Sequence, residues 1–379
     1  MDHLHPDYLT KKYEKFVYIK NRYTTHAGSF ANKYTAAASV DGDINQITFD
    51  VDDRWRNIDF SKKPNSDYFT LVNKRAVHIR ENYEYVRLWL SGGWDSYTAL
   101  KGFIDTSSHI DEIIIVQKYL YSPAELNNFE EHSICRRILD YHQDDLSNTK
   151  ITFLDYDRHH FDKSFNQYDW PEWCFGQGCL EFRSAISLLN PFFEFPSLLE
   201  LFDQNVKVAD VVGLEKSVVK KINNQWHQLM NDGKLAQTIG RPGAVPFFND
   251  PAFPDLYVLD SHLRAQAVDE NRSTDWVLEQ TRHKHPFFNV IAHQYIRKYS
   301  PVKSGTASEK SVIMEVEASL NEATAHLVGD YYTSMQKMRN KYPKLFEDNW
   351  PTTQGVVGHF GLASSLVSNH NDYYHNIVK

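Results

Sequence analysis

Cysteine is scarce in this chain. Three in 379 residues are too few for a disulfide framework and fit a reducing compartment. Excess positive charge is missing as well. A formal net charge of −8 argues against a dedicated nucleic-acid coat, although it leaves room for a local basic patch. No apolar run is long enough to cross a bilayer; the closest, ISLLNPFFEFPSLLELF (186–202), is broken by Asn190, Pro191, Glu194 and Pro196. The opening residues MDHLHPDYLTKKYEK carry no apolar stretch of the secretory kind. A cytoplasmic protein with no membrane partner is therefore expected. Nor is there an internal repeat or a low-complexity tract. The histidines, including His159-His160 and the His283-x-His285 pair, come without the cysteines or the His-Glu-x-x-His helix of a zinc site. A Walker lysine is absent too: Gly233-Lys234 lacks both the upstream glycine and a following Ser or Thr. GQGCLE (176–181) begins like a dinucleotide fingerprint and fails at its third glycine.

What the chain has is length enough for a large core and an aromatic content of 14%. Residues 1–84 read as an extension or small β-rich subdomain. INQITFDVDDRW (44–55) is its best strand pattern, and YFTLVNKRAVHIRENY (68–83) is a helical pattern leading out of it. Residues 85–240 then alternate. YVRLWL, EIIIVQKYL, KITFLDYD and VADVV read as strands. DSYTALKGFID, NNFEEHSICRRILDYH and a segment near 180–189 read as helices. This alternation predicts an α/β domain with a doubly wound, mainly parallel, five-stranded-type sheet. VVKKINNQWHQLMNDGK (218–234) reads as a helix, and RPGAVPFFNDPAFPD (241–255), with four prolines, as a loop. Helical patterns near 257–267, 289–299 and 309–342 predict a largely helical region over 241–379.

The chemistry concentrates in SGGWDS (91–96), between an apolar strand and a helix. The first N–H groups of a helix have no partner inside it, and they carry the positive end of its dipole. A strand–turn–helix corner is thus an anion site, and glycines let the backbone approach a phosphate closely. Ser91 and Ser96 add hydroxyls. An acid in such a cradle repels phosphate unless a cation lies between, so Asp95 points to Mg²⁺. Ligands gather beyond the carboxyl ends of parallel strands, where this corner lies.

Ser-Gly-Gly-Trp-Asp-Ser in this context resembles the pyrophosphate-binding loop of the PP-loop ATP pyrophosphatases. The resemblance implies an adenine-nucleotide α-hydrolase-like fold and cleavage of ATP between the α- and β-phosphates. Over residues 85–221 the chain looks most like the synthetase domain of asparagine synthetase and β-lactam synthetase. There LEFRSAISLLNPFFE (180–194) sits where those enzymes carry an Arg-x-Ser-bearing helix, and VADVVGLEKS (208–217) sits where they carry a strand ending in a glycine-rich turn, although its second glycine is missing and Lys216 intrudes. The resemblance implies that Ser91, Gly92, Gly93, Asp95 and Ser96 hold pyrophosphate and Mg²⁺. It places Gln117 and Lys118 beside the nucleotide, and it puts Gly213, Arg183, Glu215 and Lys216 near the reacting centre. Asp2 stands where glutamine-using relatives carry a nucleophilic cysteine, so ammonia from glutamine is not expected from this chain.

The resulting expectation is an AMP-forming ligase. It adenylylates an oxygen of a carboxylate, amide or ureido group of a small substrate, releases pyrophosphate, and lets ammonia or an amine displace AMP. A sulfurtransferase acting through Cys174 and Cys179 is one alternative; a nucleotide-binding regulatory module without chemistry is another. An adenylyl-sulfate reductase needs a cysteine near the C-terminus, and none follows Cys179. Trp94, Lys220, Lys221 and Arg241 read as packing, solvated or turn residues, and Cys135 as core.

Overall fold

The computed structural model describes residues 12–18, 22–30, 36, 39–40, 46–119, 134–157, 195–213, 217–231, 242–287, 360–368 and 371–375. Its first sheet is small: β1 (Arg22–Thr25) lies between β2 (Gly28–Phe30) and β3 (Thr48–Asp50), with antiparallel pairings on both sides. The expected strand of 44–55 is shorter than its pattern. Asp52 accepts from the Arg54 N–H at 3.1 Å and starts a helical turn, Asp53–Arg56.

Helix α1 (Tyr68–Asn82) begins where Asp67 caps the Thr70 N–H at 2.9 Å. It buries Leu71, Val72, Ala76 and Ile79. Strand β4 (Tyr85–Trp89) follows, then α2 (Trp94–Asp105), β5 (Glu112–Tyr119), α3 (Cys135–Tyr141), β6 (Lys150–Asp157) and β7 (Val208–Val212). These fall where the periodicity predicts strands and helices; of the helix expected over 127–142 only residues from 134 on are described, and the helix expected near 180–189 lies outside the described residues. Helices α1 and α2 pack closely at Gly102, where a Cβ would lie 2.9 Å from the Val72 side chain. Cys135 is fully buried, as expected of a core thiol, with its Sγ 3.5 Å from the Leu90 carbonyl oxygen.

Two readings need correction. Residues 218–231 are an antiparallel hairpin, β8 (Val218–Ile222) and β9 (Gln225–Asn231), where a helix was expected. Asn223 and Asn224 form its two-residue turn at φ 49° and 62°. Positive φ at both central residues is the geometry whose twist suits tightly joined strands, and asparagine tolerates it. Lys220 and Lys221 therefore stand on a strand, with Lys221 paired to Asp269 at 3.2 Å. Asn224→Val should cost about 1–2 kcal/mol in a urea unfolding titration, because a β-branched residue is forced into the left-handed region. The second correction concerns 241–255, read as a loop. Gly243, at φ 70°, turns the chain into a three-residue strand, β10 (Ala244–Pro246), so the sheet continues past residue 240. Pro246 sits at its last position, and an edge strand tolerates a proline that donates nothing.

The central sheet is five-stranded, in the order β10-β7-β4-β5-β6, and every pairing is parallel. The chain lays down β4, moves outward through β5 to β6, then returns to the other side of β4 for β7 and β10. Val86, Leu88, Ile113, Ile115, Ala209 and Val211 join apolar side chains of α1 and α2 in one core. Helices α4 (Asp255–Asp269) and α5 (Thr274–Thr281) follow. Ser273 caps the Trp276 N–H at 3.2 Å, a start signal the periodicity reading passed over. In the tail, β11 (Phe360–Ser365) and β12 (Asn371–His375) extend the β8–β9 hairpin into a four-stranded antiparallel sheet. The helical patterns at 289–299 and 309–342 lie outside the described residues. Among the described residues no helix is long and apolar enough to cross a membrane.

Candidate functional site

In an open parallel sheet the crevice for ligands lies where the strand order reverses, beyond the carboxyl ends. Here that point lies between β4 and β7, paired from Tyr85↔Val208 to Trp89↔Val212. The SGGWDS corner leaves the end of β4, and Gly213 leaves the end of β7. The two meet: a Cβ on Gly213 would lie 2.8 Å from the Ser96 N and Cα and 2.9 Å from the Asp95 carbonyl carbon. Only glycine allows this approach. Gly92 turns the loop at φ 77°, and Gly93 is the extended N-cap of α2.

The loop is braced by its own serines. The Ser96 hydroxyl is buried and donates to the Gly93 carbonyl at 3.1 Å, while it accepts from the Ser91 N–H at 3.2 Å. The Ser91 hydroxyl lies 3.1 Å from it. Ser96 is thus a staple in this arrangement, its single proton committed to Gly93, whereas Ser91 is exposed. Among the described residues the backbone N–H groups of Gly92, Gly93 and Ser96 donate to no partner. Unpartnered donors at a helix start are the chemistry an anion requires.

One segment missed in the sequence grips the first turns of α2. Arg282 Nε donates to Asp95. The His283 N–H donates to Thr98 Oγ1 at 2.7 Å, the Lys284 Nζ stands 5.3 Å from the Trp94 ring centre, and the His285 ring meets Tyr97 edge-on at 5.8 Å. Arg282 is fully buried, whereas Asp95 keeps 27% of its side-chain exposure. The guanidinium lies 4.0 Å from the centre of the Phe248 ring and gives a 2.7 Å hydrogen bond to the Tyr68 hydroxyl. Burial opposes its charge, but the nearby carboxylates of Asp95 and Asp260 help to outweigh burial and hold it protonated. Its Nη2 has no partner among the described residues. Asp260, on α4, is equally buried. Burial pushes its pKa up, yet Arg264 and Arg282 more than offset this and keep it ionised. It accepts from the Ser217 N–H at 2.9 Å and the Ser217 hydroxyl at 2.5 Å.

Of the other residues singled out by sequence, Gln117 and Lys118 lie on β5, which runs on past Ile114, the partner of Trp89. Arg183, Glu215, Lys216, Arg241, Cys174 and Cys179 lie outside the described residues. The chain on either side of Glu215 and Lys216 is anchored at the site, Gly213 against Ser96 and Ser217 on Asp260. No local signal marks Arg282: it lies 187 residues from Asp95. Among the described residues no group of three or more His, Cys, Asp or Glu side chains is gathered as a metal cage. An open cleft of about 580 Å³ lies elsewhere, lined by Arg54 and Lys62, whose charges are paired with Asp52 and Asp59.

Burial pushes the His285 imidazole down from 6.5 to about 4. The unfolded chain then binds the proton more readily than the folded one. This stability contribution is fully present above about pH 6.5 and is lost as pH falls toward 4. Chemical unfolding titrations across that range should show a shallower pH slope for His285→Gln than for the native protein.

No protein-family model matches this chain, and no curated protein sequence does either.

Proposed function

We propose that the SGGWDS corner receives the two outer phosphates of ATP, and that the protein is an AMP-forming ligase of the PP-loop kind on a doubly wound, adenine-nucleotide α-hydrolase-like fold. One observation carries the reading: among the described residues the N–H groups of Gly92, Gly93 and Ser96 are without partners, at the end of the central strand and beside the reversal in strand order. Charge builds on pyrophosphate as it leaves, and donors already aimed at that place lower the barrier without reorganising. The buried core around β4 and the Ser96 staple hold them there.

The small substrate offers a carboxylate, amide or ureido oxygen, and ammonia or an amine then displaces AMP. We assign Arg183, Glu215 and Lys216 to the reacting centre, the last two on the strength of the anchors at Gly213 and Ser217. Gln117 and Lys118 are assigned to the nucleotide side of the crevice. Asp95 fits magnesium in one respect: Mg²⁺ commonly takes one or two carboxylates together with substrate phosphates. When bound, the metal would spread the phosphate charge, with Asp95 as its protein carboxylate.

Incubating the protein with ATP, magnesium and pools of amino acids or nucleosides should release AMP and pyrophosphate in equal amounts. ADP and inorganic phosphate as the products would overturn the assignment. Ser91→Ala should lower the rate without changing the unfolding midpoint, since Ser91 is exposed and its loss leaves the bond from Ser96 to Gly93 in place.

A further inference from the structure

An acid in a phosphate cradle needs a cation, and the sequence alone points to magnesium. The fold supplies another. Arg282 reaches Asp95 from the segment after α5, is fully buried, and stays charged against the cost of its burial. It is braced by Tyr68 and Phe248 and by a 2.8 Å bond to the carbonyl of Thr281. Its Nη2 is buried and without a partner among the described residues, close to the loop whose Gly92, Gly93 and Ser96 N–H groups also donate to no partner among those residues. A buried guanidinium N–H with nothing to donate to is costly, and such groups mark a missing water, ion or ligand.

Resting on the pyrophosphate reading of the loop, we propose that Arg282 is the built-in counter-charge of Asp95. It cancels the carboxylate from below, so the loop accepts pyrophosphate with no divalent metal present. Arg282 is thus a positioning residue. It fixes the Asp95 carboxylate and sets the charge that an incoming anion meets. Asp260 extends the arrangement, because it feels the Arg282 charge and also holds Ser217 at the end of the turn that follows β7. The cradle and that turn therefore share one buried cation.

The test is calorimetric titration of inorganic pyrophosphate into the full-length protein, in EDTA and again in magnesium. The native protein should bind in both. Arg282→Met uncovers the Asp95 charge, so binding in EDTA should weaken by about tenfold or more, while binding in magnesium weakens far less. Asp95→Asn removes the repelling charge and leaves Arg282 in place, so its binding in EDTA should tighten. Arg282→Lys keeps a charge but not the fork, and should recover part of the metal-free affinity. A purely structural role would weaken both titrations of Arg282→Met alike, and that result would sink the proposal. If Arg282→Met does not fold, unchanged or weaker binding of Asp95→Asn in EDTA overturns it equally. Native protein that binds pyrophosphate only with magnesium refutes the counter-charge and leaves the loop assignment standing. No binding under either condition refutes the loop assignment itself.

Discussion

Asp210→Ala should lower the unfolding free energy by about 3–5 kcal/mol, the largest loss expected of any single substitution here. Asp210 on β7 is fully buried and holds Arg87 on β4 through two bonds of 2.9 and 2.8 Å. It also accepts from the Trp89 indole at 2.8 Å, and Arg87 spends a further N–H on the Leu198 carbonyl at 2.9 Å. Removing the carboxylate strands a buried guanidinium and an indole N–H together. The pair itself need not be worth that much, because two charges were taken out of water to make it. Arg87→Met combined with Asp210→Leu should therefore cost less than Asp210→Ala alone. Guanidinium unfolding curves of the three proteins decide the matter; a double variant as damaged as the single one would show that geometry, not the stranded charge, sets the cost. The pair ties together the two strands whose ends carry the SGGWDS corner and Gly213, so loss of pyrophosphate binding should accompany the loss of stability.

Gly213→Val is expected to abolish nucleotide binding. Its Cβ would press on backbone atoms of Asp95 and Ser96 at 2.8–2.9 Å, and backbone cannot step aside as a flexible side chain can. Either β7 is pushed away from β4, or the first turn of α2 is displaced and its donors are misaimed. Overpacking of this kind costs about 1–3 kcal/mol in stability, but the functional loss should be far greater, since donors act over a few tenths of an ångström. Gly93→Ala is the control for the fold. Among the described residues a Cβ there meets only the Ser91 hydroxyl oxygen, at 3.7 Å, and its backbone is already extended. Its unfolding midpoint should stay near the native value. Titration of ATP into both variants, beside their unfolding curves, separates a disturbed fold from a disturbed cradle. Native-like ATP affinity in Gly213→Val would remove the loop from the nucleotide site.

The five elements from β4 to β6, with β7, were legible because each carries its own signal. Ile113 to Val116 form an uninterrupted apolar run of the kind a doubly covered strand needs, and Val86, Leu88, Trp89 and Leu90 form another broken only by Arg87. The glycines at 92 and 93 end one of them, and the acid and serine behind them open a helix. The hairpin at 218–231 is hidden in the sequence because its apolar residues also fit a helical period, and only the two asparagines decide for a turn. β10 was hidden by prolines, which bar a residue from a central strand but not from a three-residue edge.

A strand, a Ser-Gly-Gly corner and the first turn of a helix were determined by the sequence itself, since periodicity, glycine dihedrals and capping act over a few neighbouring residues. Tertiary structure alone decided which strand lies beside β4, that Gly213 closes on Ser96, and that Arg282 pairs with Asp95. Those outcomes depend on burying apolar faces and cancelling charge between segments more than a hundred residues apart along the chain, and no local pattern records which distant partner will satisfy either need.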